Sequence, residues 1–126
     1  MPGTAIVVFA HGSSVESANE SVRRVTQSLA RDAGFDWVEP AFLEQGKPDL
    51  AGAVAAAAAK GATRVIVVPY FLTLGLHLQR DLPRIVKELA ERHKGLEILV
   101  APPLDGHPAL ATILKERALA ALRDTG

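Results

Sequence analysis

Three residues able to bind a metal ion or move a proton stand just beyond apolar, β-branched runs. They are His11 after Ala5–Ala10, Glu44 in the stretch Ala41-Phe42-Leu43-Glu44, and His77 at the end of Tyr70–His77 after Arg64–Pro69. Imidazole nitrogen is a borderline donor and carboxylate oxygen a hard one, a set that suits Zn, Fe, Co or Ni ions and leaves coordination positions open for exchange. Imidazoles also change charge near neutral pH, so the same residues could accept protons. Metal handling and proton removal are both open to such a trio.

The trio converges only if the chain brings the three segments together, and its periodicity says that it does. Apolar runs at Ala5–Ala10, Trp37–Leu43, Arg64–Pro69 and Leu96–Ala101 are each followed by a stretch of helical period. Val15, Ala18, Val22, Val25 and Leu29 fall three or four apart, with Ser17 and Glu20 spaced as a capping box and Gly34 as a stop. A second helix opens at Pro48-Asp49 and runs to Gly61, a third runs from Asp81-Leu82-Pro83 to Gly95, and a fourth starts at Pro108.

Strands separated by helices are parallel, and right-handed crossovers put helices on both sheet faces. The fold class predicted for residues 1–126 is therefore α/β, a single three-layer doubly wound domain. Pro40 places the second strand at an edge, which suits a four-stranded order 2-1-3-4. Ligands bind beyond the carboxyl ends of such strands, where the chain order reverses. His11, Glu44 and His77 are all expected at that end.

Fourteen basic and fourteen acidic residues cancel with no long run of either sign, which argues against a nucleic-acid or anionic-membrane partner. The absence of cysteine removes disulfides, thiolate nucleophiles and Cys-based metal sites. Met1–Thr4 carries no basic leader and Ala5–Ala10 is too short to span a bilayer, so a cytoplasmic location is expected. No Gly-x-Gly-x-x-Gly or Gly-x-x-x-x-Gly-Lys-[Ser/Thr] follows the first strand, and Ser13 and Ser14 lack the Gly-x-Ser-x-Gly setting of an acyl-transfer nucleophile. His93 reads as a helix-end cation and His107 as part of a turn and helix start. Leu72–Leu78 carries four leucines around Gly75, either as core or as an apolar wall for a flat ligand or a second subunit.

These residues together resemble the short class II chelatases of the CbiX/SirB type, which act on sirohydrochlorin. The resemblance covers most of the chain. It rests on His11-Gly12-Ser13, on Ala41-Phe42-Leu43-Glu44 with Pro48-Asp49, and on Val67–His77 with Asp81-Leu82-Pro83; Pro103–Leu110 resembles a further block. It implies ATP-independent insertion of a divalent metal (Co2+, Fe2+ or Ni2+) as substrate into a sirohydrochlorin-type tetrapyrrole in cobalamin or siroheme biosynthesis, a lyase with no tightly bound cofactor. By position it implies that His11 and His77 bind the metal and help deprotonate the macrocycle, with Glu44 as third ligand or proton acceptor. Longer members hold two such domains, which implies a homodimer for a chain of this length. Ser14 departs from the arginine that many members place there. A metal- or tetrapyrrole-delivery protein uses the same residues, whereas a histidine phosphatase would need an arginine where this chain has Ala10.

Overall fold

The computed structural model describes residues 3–32, 34–35 and 37–124. Met1 and Pro2, which belong to the N-terminal stretch read above for a leader, lie outside the described residues. The β-branched runs form strands β1 (Thr4–Ala10), β2 (Trp37–Phe42), β3 (Arg64–Pro69) and β4 (Glu97–Val100). They alternate with helices α1 (Glu16–Asp32), α2 (Leu50–Ala59), α3 (Gly75–Arg92) and α4 (Ala109–Asp124). All strand pairs are parallel and the sheet order is β2-β1-β3-β4, as the sequence predicts. Pro40 lies opposite Val8 on the edge strand β2, which has a free side and so tolerates a residue without an N–H.

Every residue of β1 is buried, because the strand is paired on both sides and covered on both faces. One face carries the core proper, in which Val7, Phe9, Val65 and Val67 pack with Val54 of α2 and Leu82 of α3. Ala53 and Ala57 are buried in the same cluster, and their small side chains let α2 lie close to the sheet. Asp49 caps α2, its Oδ1 accepting the Gly52 N–H at 2.8 Å. No helix among the described residues is long and apolar enough to cross a membrane.

Two local expectations are corrected. The third helix begins at Gly75 rather than at Asp81, and Pro83 lies inside it. Its buried leucines, Leu78, Leu82 and Leu89, form one stripe that runs across the proline, and burying that stripe outweighs the single backbone hydrogen bond that Pro83 forfeits. The second correction concerns α1. Ser17 lies inside the helix and Glu20 pairs with Arg23, so the capping box does not form. Val15 and Val25 are 59% and 44% exposed, while Asn19 and Thr26 are buried. Burying these polar residues is possible because they are satisfied: Thr26 Oγ1 donates to the Val22 carbonyl at 2.7 Å, and Asn19 bridges two loops.

The stripe on α3 makes a direct prediction. Leu82 is 1% exposed and Leu76 is 85% exposed. Urea titration followed by circular dichroism should find Leu82→Ala destabilised by about 2–5 kcal/mol. Leu76→Ala should stay within about 0.5 kcal/mol of wild type. Equal losses for the two would contradict the helix face described.

Candidate functional site

Backbone pairing continues past the ends of β1 and β2 and sets the two loops against each other. The Leu43 N–H donates to the Ala10 carbonyl at 2.9 Å and the Glu44 N–H to the His11 carbonyl at 3.0 Å. Gly12 turns the chain there with φ 89°, and a Cβ at that position would lie 1.7 Å from the Glu44 carbonyl oxygen. Only glycine fits so close a backbone approach. The Asn19 side chain, 2% exposed, ties the loops from beneath. Its Nδ2 donates to the carbonyls of Ser13 and Gln45, both at 2.9 Å, and its Oδ1 accepts the Ser13 N–H at 2.9 Å.

This frame brings His11 and Glu44 together, with Nε2 3.6 Å from Oε1 and both side chains more than half exposed. His11 Nδ1 lies 3.1 Å from the Gly12 carbonyl. A carbonyl only accepts, so this contact puts the neutral ring's proton on Nδ1 and leaves the Nε2 lone pair beside the carboxylate. Two electron-pair donors facing each other can share a metal cation. Donors about 2.1 Å from a shared tetrahedral ion are about 3.4 Å apart, close to the separation seen. The Phe71 ring meets the imidazole edge-on, centroids 6.4 Å apart.

His77 is placed differently from the expectation of a loop residue, since it lies in the first turn of α3. Its Nδ1 is 3.4 Å from Arg80 Nη2. Arginine only donates, so neutral His77 directs its lone pair at Arg80. Among the described residues no three His, Cys, Asp or Glu side chains form a metal-holding group, so His77 does not join the His11–Glu44 pair in this arrangement. His107 accepts the Ala109 N–H on Nδ1 at 3.0 Å, which is helix-start duty, and the His93 N–H closes α3 on the Leu89 carbonyl. Tyr70, Leu72 and Leu76 are exposed, whereas Leu78 is buried, so the leucine-rich stretch serves both wall and core. A cavity of about 520 Å3 between α3 and β4 includes none of His11, Glu44 and His77 in its lining, and the pair sits on open surface.

Sequence reading missed Asn19 and Phe71 as members of the site. A signal for Asn19 was present, because positions 15, 19, 22, 26 and 29 keep the same helical spacing as the valines and place two polar residues in the stripe. Phe71 carried no such signal, being one apolar residue among many before the leucines.

The domain is a doubly wound α/β fold in which an imidazole and a carboxylate face each other at the ends of neighbouring strands. The chain belongs to the CbiX family, whose pattern matches residues 5–121. It is 30% identical over 112 residues to the sirohydrochlorin ferrochelatase, chloroplastic, of Arabidopsis thaliana, covering 89% of this chain and 50% of that one. It is 31% identical over 120 residues to the sirohydrochlorin cobaltochelatase of Sulfurisphaera tokodaii, covering 95% of each. Its fold matches the crystal structure of a CbiX protein from Marinobacter aquaeolei VT8 with a TM-score of 0.84 at 27% identity, covering 96% and 98% of the two chains. The sirohydrochlorin chelatase SirB from Bacillus subtilis subspecies spizizenii, in complex with cobalt, matches with a TM-score of 0.69 at 27% identity over 79% of this chain and 43% of that one. The chain thus spans half the length of the Arabidopsis relative and less than half of SirB.

The tie beneath the site is testable apart from any activity. Asn19→Ala leaves the Ser13 N–H and two loop carbonyls without their partner and should cost about 1–3 kcal/mol in chemical denaturation. Hydrogen exchange at the Ser13 amide should accelerate more than at the buried amides of β1. Unchanged exchange at Ser13 would show that Asn19 does not hold the loops.

Proposed function

We propose that this chain inserts a divalent cation (Co2+ or Fe2+, with Ni2+ as a further substrate) into sirohydrochlorin without ATP, acting as a cytoplasmic homodimer. The observation that carries this reading is the facing pair His11 Nε2 and Glu44 Oε1, 3.6 Å apart at the carboxyl end of the central strand. The chelatase names of the Arabidopsis and Sulfurisphaera relatives, and the cobalt held by SirB, support it.

On this reading the cation arrives as substrate and is held loosely by His11 and Glu44, with His77 as a third ligand once its lone pair turns from Arg80. Entry of one divalent cation into the macrocycle breaks two pyrrole N–H bonds, and both protons must leave for charge to balance. The Glu44 carboxylate and the imidazoles, freed as the metal departs, accept them. Tyr70, Leu72 and Leu76 offer exposed apolar surface to the flat face of the ring. Because the pair lies on open surface, a second chain is needed for an opposite wall, and water exclusion between two walls strengthens each electrostatic contact.

Anaerobic incubation of purified protein with sirohydrochlorin and Co2+ or Fe2+, followed by absorption, tests the proposal. Wild type should turn over repeatedly, and His11→Ala and Glu44→Gln should each lose at least about tenfold in rate, the range of a positioned acid–base or ligand group. His77→Ala should lose rate without any change in stability. Wild-type rates in all three variants would remove the site assignment. No acceleration over the spontaneous reaction with any of the three metals would remove the function, and product formation that stops at one equivalent would assign delivery instead.

A further inference from the structure

Helices α1, α2 and α3 each send side chains into the interior, whereas none of the 16 residues of α4 is buried. Charge on α4 is gathered where the helix passes Tyr70. Ile113, Glu116, Arg117, Ala120 and Arg123 line a cavity of about 480 Å3 together with that tyrosine. These positions recur at helical spacing and so form one side of α4. The cavity lies at the strand ends that carry the His11–Glu44 pair. Tyr70 directly follows β3, and its N–H donates at 2.7 Å to the carbonyl of Phe9, two residues before His11. Its neighbour Phe71 meets the His11 ring edge-on. The start of α4 is tied to the same loop: the Leu104 and Asp105 N–H groups donate to the carbonyls of Phe71 and Leu72 at 3.0 and 2.9 Å, and His107 Nδ1 accepts the Ala109 N–H.

The cations of this cavity are uncommitted. Arg23 is paired with Glu16 and Glu20, Arg64 with Glu97, Arg80 with Asp81 and Arg84 with Glu88, whereas Arg117 and Arg123 form no ion pair among the described residues. Glu116 lines the same cavity without pairing with either, so two guanidiniums against one carboxylate leave the lining positive. A guanidinium fork matches a carboxylate with two parallel hydrogen bonds, and a phenol adds one more donor. The chemistry of the lining therefore fits an organic anion.

We propose that the cavity between Tyr70 and α4 is a carboxylate subsite, in which Arg117 and Arg123, with the Tyr70 hydroxyl, take a peripheral carboxylate of the macrocycle and fix how the ring lies over His11 and Glu44. This rests on the sirohydrochlorin reading above and adds to it the groups that recognise the substrate's edge. An apolar surface holds the flat face of a ring but does not distinguish one rotation of it from another; a few placed polar groups supply that orientation. Tyr70 serves both contacts, having an apolar ring and a polar tip. The arginines are positioning residues. They act away from the reacting atoms and grip the substrate alike before and during metal entry, so their effect falls on KM more than on kcat.

Binding of metal-free sirohydrochlorin to the full chain, followed anaerobically by the fluorescence of the macrocycle, tests the subsite apart from catalysis. The double variant Arg117→Gln, Arg123→Gln should raise Kd about fivefold or more, the reach of two exposed charge pairs. Glu116→Gln should lower Kd, and added salt should weaken binding to wild type more than to the double variant. In metallation assays KM should follow Kd while kcat changes less. All three side chains are exposed, so helical content and the urea midpoint should stay at their wild-type values. A wild-type Kd in the double variant would overturn the subsite without touching metal insertion. Equal losses of affinity in Glu116→Gln and in the arginine variant would overturn it in favour of a structural effect of the helix. Charge-dependent binding without metal turnover would keep the subsite and remove the insertion reading, and a wild type that does not bind the macrocycle would overturn both.

Discussion

The backbone pairing that continues beyond β1 and β2 is the constraint on which the site depends. Two N–H···O bonds carry the ladder past Ala10 and Phe42, and the close approach of Gly12 to the Glu44 carbonyl leaves no room for a side chain between the loops. His11 and Glu44 are consequently placed by main-chain geometry, and their side chains need only rotate. An exposed imidazole–carboxylate pair contributes little to stability by itself. Its proximity must therefore be imposed by something else, here the buried central strand and the amide of Asn19.

How far this was legible in the sequence differs from element to element. The strand order followed from the parallel connections and from Pro40, because only an edge strand has a side on which the missing donor costs nothing. The pairing of His11 with Glu44 followed from the same topology, since neighbouring parallel strands end at one rim. The start of α3 was hidden by local chemistry: Asp81-Leu82-Pro83 has the look of a first turn, yet burial of Leu78 with Leu82 and Leu89 overrides it. The face of α1 was hidden for the opposite reason. Hydrophobic spacing assumes that polar residues seek water, and it fails where an amide such as Asn19 finds three backbone partners in the interior.

The placement of His77 joins these two lessons. Because α3 begins at Gly75, His77 is carried on a helix whose apolar stripe is packed into the core, and only its side chain can move toward His11. The contact with Arg80 is long, at 3.4 Å, and between exposed groups, so rotating the imidazole away from it requires little. On the proposed reading, two donors preset by the backbone, with His77 outside their group in this arrangement, suit a cation that must be held and then released. Three rigid donors would bind it more tightly and give it up more slowly, since interactions made equally before and during reaction do not speed the reaction.

The same economy extends to the open surface around the pair. Tyr70, Leu72 and Leu76 are exposed, and so are His11 and Glu44. On the proposed reading, a flat macrocycle laid on this surface keeps its other face in water, where a doubly charged cation is well hydrated and the drive to enter the ring is weakest. Taking that face out of water would require a second wall. The Pro102–Pro108 connection reaches the same region: the Leu104 and Asp105 N–H groups donate to the carbonyls of Phe71 and Leu72, and the Phe71 ring meets His11 edge-on. One connection therefore ties the end of β4 to the loop beside the pair.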